Sequence, residues 1–469
     1  MTPSATIGVP DTTPQPRATR AVLVLVFVSL LVRCGALWLA RDAQPWNDQV
    51  TYVQRATDIL DGKGYTGSYQ SWVKHPGERQ LQTLPRYPGA YQAPGFPAFM
   101  ALVMGVCGRD EMWIKCAQVA LGAASTWLVF ALGRTAYGAR VGLIAGWLHA
   151  LDPTFIAFTH YLFNETLFVF LFLLALHLLL RDEGLPSVAS ALAIGVVFAL
   201  AVYVKSSLLY LLPVLAVWWW WRKRAASGRA ALTLALAASA WCVCMAPWSI
   251  RNYQVHGGFV LVDSSGPYNL WRGNQPNAYA RRRMSSDWNV RFPEPFRAYS
   301  VAPVSEVGGS KLVEVVQDTL HVDEPTDLEM MRGSQMAALE YMLEDPLWSA
   351  QRAWYKIVDV WNPTSFVMRH LFKGGYGEIP KLLEVALSWW CALSYLALLA
   401  CALPALWLRR RDDFAMLAML VFFYYTAIHA ITFGLTRFRL PVMPFFMILA
   451  AVGIVTWIER RRLRGAHAT

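Results

Sequence analysis

Asp48, Tyr52 and Ala56 stand four residues apart just beyond the first long apolar run of the chain. On a helix that spacing puts all three on one face, so a carboxylate and a phenol meet at the edge of an apolar span. Carboxylates beside a span are costly and need a reason; for Asp48 the plain alternatives are a helix cap or a salt bridge. Glu165 opens another apolar run, where a negative charge matched to the helix dipole explains it as well as a site role does. Lys205 falls in a short turn between two apolar runs, where a cation either contacts a lipid phosphate or snorkels. Arg251 and Arg437 stand at span ends on that same side, against the usual concentration of Lys and Arg in the cytoplasm, which favours binding roles. Asp152 precedes Pro153 and reads as structural, and His160 with Glu165 is a weak pair for a metal. Arg33 and Arg439 read as snorkelling, and His149, His177 and His429 as packed core.

Such groups need a membrane bundle to position them, and the composition supplies one. Of 469 residues, 56% are apolar and only 16% charged, against roughly 25% charged in soluble domains. That excludes a disordered chain and a small disulfide scaffold, and argues against an ordinary soluble enzyme. The apolar residues gather into about ten spans: 21–40, 111–132, 141–158, 166–180, 187–203, 207–221, 230–246, 382–408, 414–433 and 440–458. A helix crossing a bilayer core of about 30 Å needs about 20 residues, so the close pairs 141–180 and 187–221 are compatible with short spans or with re-entrant hairpins.

The net charge of +11 is a topology signal. Arg17 and Arg20, Arg134 and Arg140, Arg222 to Arg229, Arg409 to Arg411, and Arg460 to Arg464 all fall on one side of a ten-span chain. The positive-inside rule puts both termini in the cytoplasm and makes a nucleic-acid partner the weaker reading. Trp218 to Trp221 read as an interfacial aromatic belt. Residues 1–20 read as a disordered cytoplasmic tail, the first span as an uncleaved anchor, and 459–469 as a second cytoplasmic tail. Cys107 and Cys116 offer only an unsupported disulfide. No phosphate-binding loop, dinucleotide fingerprint, HExxH or GxSxG occurs.

Two loops on the far side are long. Residues 41–110 are rich in aromatics, among them Trp46, Tyr65, Tyr69, Trp72 and Tyr91, and end in a short apolar helix after Pro94-Gly95-Phe96-Pro97 that cannot span. Residues 247–381 contain a strand-like run at 259–262 and a helical stretch from about 329 to 360, ending at Trp361-Asn362-Pro363. The expectation is an all-α polytopic membrane protein: an N-terminal module (21–246), a mixed, mainly helical extracytoplasmic cap (247–381) and C-terminal spans (382–458).

Several stretches resemble the C-class, polyprenyl-phosphate-sugar-dependent glycosyltransferases, a superfamily that includes protein O-mannosyltransferases, lipid A aminoarabinose transferases and core galacturonosyltransferase-like bacterial proteins. The match is carried by Asp48, Tyr52 and Ala56 with Gly62-x-Gly64-Tyr65; by Pro94 to Pro97; by Asp152-Pro153 and Asn164-Glu165-Thr166-Leu167-Phe168; by Pro247 to Tyr253 and Gly266 to Asn274; and by Arg437 to Pro441. Gln92 departs from it, standing where an arginine is expected; Arg86 is close enough in sequence to substitute.

The resemblance implies an enzyme that moves a sugar from a polyprenyl-phosphate carrier to an envelope acceptor (glycolipid, lipopolysaccharide, other glycan or protein) at the periplasmic face of a bacterial inner membrane. It implies Asp48 as the general base, and Tyr52, Arg86, Glu165, Lys205, Arg251 and Arg437 as substrate contacts, with Asn269, Trp271, Arg272 and Asn274 shaping the cap. Some members use a divalent cation; no metal ligands are assigned here. The alternative classes are a transporter or lipid flippase, which expects polar groups at the bilayer midplane and repeated halves, and a non-catalytic envelope scaffold that tolerates loss of Asp48.

Overall fold

The computed structural model describes residues 16–43, 45, 48–68, 86–181, 184–276, 278, 309–372, 376–377 and 379–466. Trp46, Tyr69, Trp72 and residues 1–15 and 467–469 of the two tails lie outside the described residues. The bundle begins with α1 (Pro16–Leu39), earlier than the expected residue 21. Next come α2 (Asp48–Leu60), α3 (Gly95–Cys107), α4 (Glu111–Tyr137), α5 (Ala139–Leu151), the short α6 (Pro153–Ala157), α7 (Glu165–Leu180), α8 (Val188–Val204), α9 (Leu212–Arg222) and α10 (Ser227–His256). The cap holds α11 (Ser265–Asn274), α12 (Gly309–Leu320), α13 (Asp327–Glu344), α14 (Pro346–Trp361) and α15 (Phe366–Phe372). The chain then returns through α16 (Lys381–Leu408), α17 (Asp413–Ile431) and α18 (Met443–Ala466).

The protein is an all-α polytopic membrane protein. Among the described residues, six helices, α1, α4, α10, α16, α17 and α18, are long and apolar enough to cross a bilayer; α3, α5, α7 and α8 are apolar but shorter. All ten expected spans are found as helix, two of them interrupted. The span at 141–158 breaks at Asp152, whose Oδ1 accepts from the amides of Thr154 (2.8 Å) and Phe155 (3.1 Å) and so starts α6 as its N-cap, with Pro153 at the first position. The span at 207–221 opens as a 3-10 turn, Ser206–Leu211. Around α18, residues 439–452 are buried without a break, as expected of a helix apolar all round and enclosed by its neighbours. It packs on α16 and α5; α4 packs on α5 and α1, and α8 on α10.

Several expectations are corrected. Arg33 does not snorkel: it is fully buried, donating to Ser29 Oγ at 2.6 Å and to the Ala150 carbonyl at 3.2 Å. Arg439 is buried too, 3.8 Å from the Tyr395 ring centroid and bonded to the carbonyls of Val360, Asn362 and Thr364. Trp218 and Trp219 turn into the core, and only Trp220 and Trp221 face outward. Cys107 and Cys116 are free thiols.

Among the described residues the cap contains no strand. At 259–262 the Asn252 amide donates to the carbonyls of Val260 (3.0 Å) and Val262 (3.2 Å), and Trp248 Nε1 donates to Val262. Side chains satisfy the carbonyls that a partner strand would otherwise take. The run is reached through α10, which continues past residue 246 to a left-handed Gly257 cap (φ 67°). The stretch at 329–360 is two helices, parted at Asp345-Pro346, with Asp345 capping α14. The cap has its own small core of Tyr268, Trp271, Leu312, Val316, Met330 and Ala337.

Candidate active site

The site forms where the loops meet, at the end of the bundle opposite the arginine clusters. Asp48 is the first residue of α2, where its charge suits the helix dipole. The helix is held side-on by Tyr52, whose ring meets Phe96 edge to face at 5.2 Å. Phe96 belongs to the Pro-Gly-Phe-Pro turn that starts α3. A Cβ on Gly95 would stand 2.7 Å from the Tyr203 backbone, so glycine lets this turn dock against the end of α8, next to Lys205. Asn164 ties the parts together: its amide donates to the Tyr52 hydroxyl (3.3 Å) and to the Val204 carbonyl (3.0 Å). Glu165 follows it as the first residue of α7, and Lys205 is the C-cap of α8.

These residues converge on Arg437, in the 3-10 turn Thr436–Arg439 between α17 and α18. Arg437 Nη2 donates to Asp48 Oδ2 at 2.9 Å, and its Nε lies 3.7 Å from Glu165 Oε1. Lys205 Nζ reaches the same Glu165 oxygen at 3.2 Å. The line Asp48–Arg437–Glu165–Lys205 is most exposed at Asp48 and deepest at Glu165: the side chains are 30%, 15%, 2% and 12% exposed in that order. Aromatic rings wall it. The Arg437 guanidinium lies 5.0 Å from the centroid of Phe163, 5.5 Å from Phe366 and 5.4 Å from Phe438, and Lys205 Nζ 5.3 Å from that of Phe438, distances at which ring faces attract cations.

Burial alone pushes the Asp48 carboxyl up, but Arg437, with Arg272 and Arg369 farther off, more than offsets it and leaves the carboxyl below its ordinary value. Arg437 is the counterpart: burial works against its charge, yet Glu165 and Asp48 leave it more firmly protonated than usual. Arg369, on α15, is lowered to about 10 by burial and by the cations Arg437 and Arg272. Among the described residues, four cations (Lys205, Arg272, Arg369, Arg437) therefore surround two carboxylates. That excess positive charge suits an anionic ligand.

Arg369 escaped the sequence reading. It carries the same signal as Arg251 and Arg437, a cation in a loop on the side opposite the arginine clusters. Conversely, two expected contacts do not join the cluster. Arg251 donates to the carbonyls of Gly89 (2.6 Å) and Tyr65 (2.8 Å) and lies 4.9 Å from the Trp248 ring centroid, fastening the first loop to α10. Arg86 pairs with the buried Asp58, which also accepts from Thr66 Oγ1 at 2.7 Å. The cation bonded to Gln92 is Arg55. Arg272 reaches toward the site and lies 4.4 Å from the Phe433 ring centroid; Trp271 is buried in the cap core.

A divalent cation does not fit these residues. His160 is bonded to the Tyr376 hydroxyl at 2.7 Å, and Asp48 and Glu165 are already paired with arginine and lysine. Among the described residues no three His, Cys, Asp or Glu side chains gather.

The profile of the family described as dolichyl-phosphate-mannose-protein mannosyltransferase matches residues 91–250, well under half of the chain. No curated protein matches the sequence. Among solved structures, the archaeal oligosaccharyltransferase AglB from Archaeoglobus fulgidus, in complex with an inhibitory peptide and a dolichol-phosphate, aligns at a TM-score of 0.54 with 13% identity, over 96% of this chain and 51% of that one. An Archaeoglobus fulgidus oligosaccharyltransferase tethered with an acceptor peptide aligns at 0.51 with 12% identity, over 96% and 50%. ArnT from Cupriavidus metallidurans bound to undecaprenyl phosphate gives 0.39 with 16% identity, over 93% and 78%. The chain spans about half the length of the archaeal enzyme it matches, and shares its fold.

Proposed function

We propose that this protein is a membrane glycosyltransferase that moves a sugar, hexosyl or pentosyl, from a polyprenyl-phosphate carrier to an envelope acceptor such as a glycolipid, lipopolysaccharide or protein. The observation that carries this reading is the line Asp48–Arg437–Glu165–Lys205, set at the ends of the helices with an excess of positive charge. A lipid-linked donor must keep its tail in the bilayer while its phosphate reaches this surface. The family profile and the fold shared with an enzyme solved with a dolichol-phosphate support a lipid phosphate as the anion. The arginine clusters at the opposite ends support cytoplasmic termini and a periplasmic site in an inner membrane.

In the reaction, Lys205 and Arg437, helped by Arg369 and Arg272, hold the phosphate. Asp48 takes the proton from the acceptor hydroxyl, whose oxygen bonds to the anomeric carbon as the carbon–phosphate-oxygen bond breaks. The lipid phosphate leaves with the electron pair, and the anomeric configuration inverts. Preorganised cations stabilise the charge growing on the leaving group. Asp48 is a weak base while Arg437 holds it low; a bound phosphate draws Arg437 away and restores its basicity. Labelled-sugar transfer from a polyprenyl phosphate in proteoliposomes tests the assignment. Transfer with the wild type supports it; none, with any polyprenyl-phosphate sugar tried, refutes it.

A further inference from the structure

Arg272 differs from the other cations at the site. Lys205 and Arg437 are spent on Glu165 and Asp48. The Arg272 guanidinium is half-buried and makes no hydrogen bond or ion pair among the described residues; its contact is the face of Phe433, 4.4 Å away. Its N–H donors are therefore unspent. Asp48 is unspent in part: Oδ2 accepts from Arg437, and Oδ1 has no hydrogen bond among the described residues.

The backbone beneath Arg272 is fixed by close packing. A Cβ on the next residue, Gly273, would collide with the Thr432 carbonyl, so α11 ends in direct backbone contact with the end of α17. Asn274 Nδ2 donates to the Ile431 carbonyl (2.8 Å), and its Oδ1 accepts from Lys356 Nζ (2.8 Å). Rings lead from there to the site: Phe433 meets Phe438 edge to face at 6.3 Å, and Phe438 lies 5.4 Å from the Arg437 guanidinium. Tyr268 stands one turn before Arg272 on the same face of α11, and both are electrostatic neighbours of Asp48. The cap thus holds a preset cation beside the carboxylate, with its donors open.

The acceptor hydroxyl must meet the base, so an unspent cation beside Asp48 is also beside the acceptor. An arginine fork matches the geometry of a phosphate or a carboxylate. A peptide sets its hydroxyls among neutral amides, whereas an acidic saccharide carries hydroxyls and an anion on one ring. We propose that Arg272 binds an anionic group of the acceptor, a phosphate or carboxylate on a saccharide headgroup, while the hydroxyl to be glycosylated donates to Asp48 Oδ1. The inference rests on the function proposed above and names its acceptor class; Arg272 acts on the donor phosphate only at longer range.

The test uses the full chain in lipid nanodiscs and two pairs of acceptors: lipid A with and without its phosphates in the bilayer, and glucuronate and its methyl ester in solution. Binding is measured without donor, and transfer with a polyprenyl-phosphate sugar. The expected result is tighter binding of the charged member of at least one pair, by roughly 10–100-fold, the scale of a charge-assisted bond. The pair that shows it tells a membrane-bound acceptor from a soluble one. In Arg272→Gln that preference is lost, the neutral member binds as before and the donor Kd changes far less than that of the acceptor; Arg272→Lys keeps part of the preference. Equal binding of both members in both pairs overturns the proposal. An Arg272→Gln variant that keeps the preference overturns it too, as does one whose donor Kd rises as much as its acceptor Kd. If the charged acceptor binds through Arg272 but no polyprenyl-phosphate sugar is transferred, the proposed function fails and the anion subsite stands.

Discussion

Arg437 and Asp48 are 389 residues apart in the chain and 2.9 Å apart in space. That bond closes the site: the first loop supplies the carboxylate, the turn before the last helix supplies the cation, and Glu165 and Lys205 extend the line. The pairing favours the ionised form of Asp48 and the charged form of Arg437.

Removing Arg437 exposes what it does for Asp48. Burial pushes this carboxyl up and Arg437 pulls it below 3.8. A group with a lowered folded pKa gives stability that is complete above its unfolded value and is lost as pH falls through the folded one. In the wild type, Asp48 therefore contributes no acid limb near neutrality. In Arg437→Gln the acid limb of kcat/KM moves to higher pH and donor affinity falls. A pH–rate profile checks this; an unmoved limb denies the coupling.

Lys205→Met removes a proposed phosphate contact and leaves Glu165 with only Arg437. The expected effect is a rise in donor KM of roughly 10–100-fold, the scale of a charge-assisted bond, with partial recovery in Lys205→Arg. Steady-state kinetics against donor concentration measure it. A wild-type KM with a lowered kcat would assign Lys205 elsewhere.

Arg251→Ala separates a fastener from a ligand. Its bonds go to the carbonyls of Tyr65 and Gly89, so the loss should appear as stability, about 2 kcal/mol, and as faster proteolysis of the first loop. Donor affinity of the folded protein should fall less than in Arg437→Gln. Thermal unfolding and limited proteolysis decide between the two.

For Lys356 the expected outcome is a pH-dependent docking of the cap. It is fully buried on α14, donates to Asn274 Oδ1 (2.8 Å) and the Ile431 carbonyl (3.1 Å), and burial lowers it to about 7. Between pH 7 and its unfolded value of 10.5 the unfolded chain binds the extra proton, so stability rises with pH across that window. The unfolding midpoint of the wild type should climb from pH 7 to 9 more steeply than that of Lys356→Met. Equal slopes would contradict a buried neutral lysine.

The sequence makes the helical parts of the site legible, because a four-residue spacing fixes a face: Asp48 and Tyr52 stand on α2 as expected, and Glu165 and Lys205 at the ends of α7 and α8. Partner choice over long separations is not legible. Arg251 and Arg437 look alike in sequence, yet one is consumed by carbonyls 162 and 186 residues away and the other meets carboxylates. The strand-like run at 259–262 was misleading for a similar reason: its carbonyls are taken by the Asn252 and Trp248 side chains, which hydrophobic alternation does not register. Arg33 looks like a snorkelling residue because, beyond Ser29 one turn away on its own helix, its acceptors are the His149 and Ala150 carbonyls, visible only once α1 and α5 pack.

The most direct measurement compares wild type and Asp48→Asn in proteoliposomes, following both binding of a polyprenyl-phosphate sugar and its transfer to an acceptor. Loss of a positioned base lowers rates by roughly 10²–10⁴-fold. The expected result is donor binding within a few-fold of wild type and transfer reduced on that scale. Full transfer by Asp48→Asn would contradict the role of Asp48 as the base.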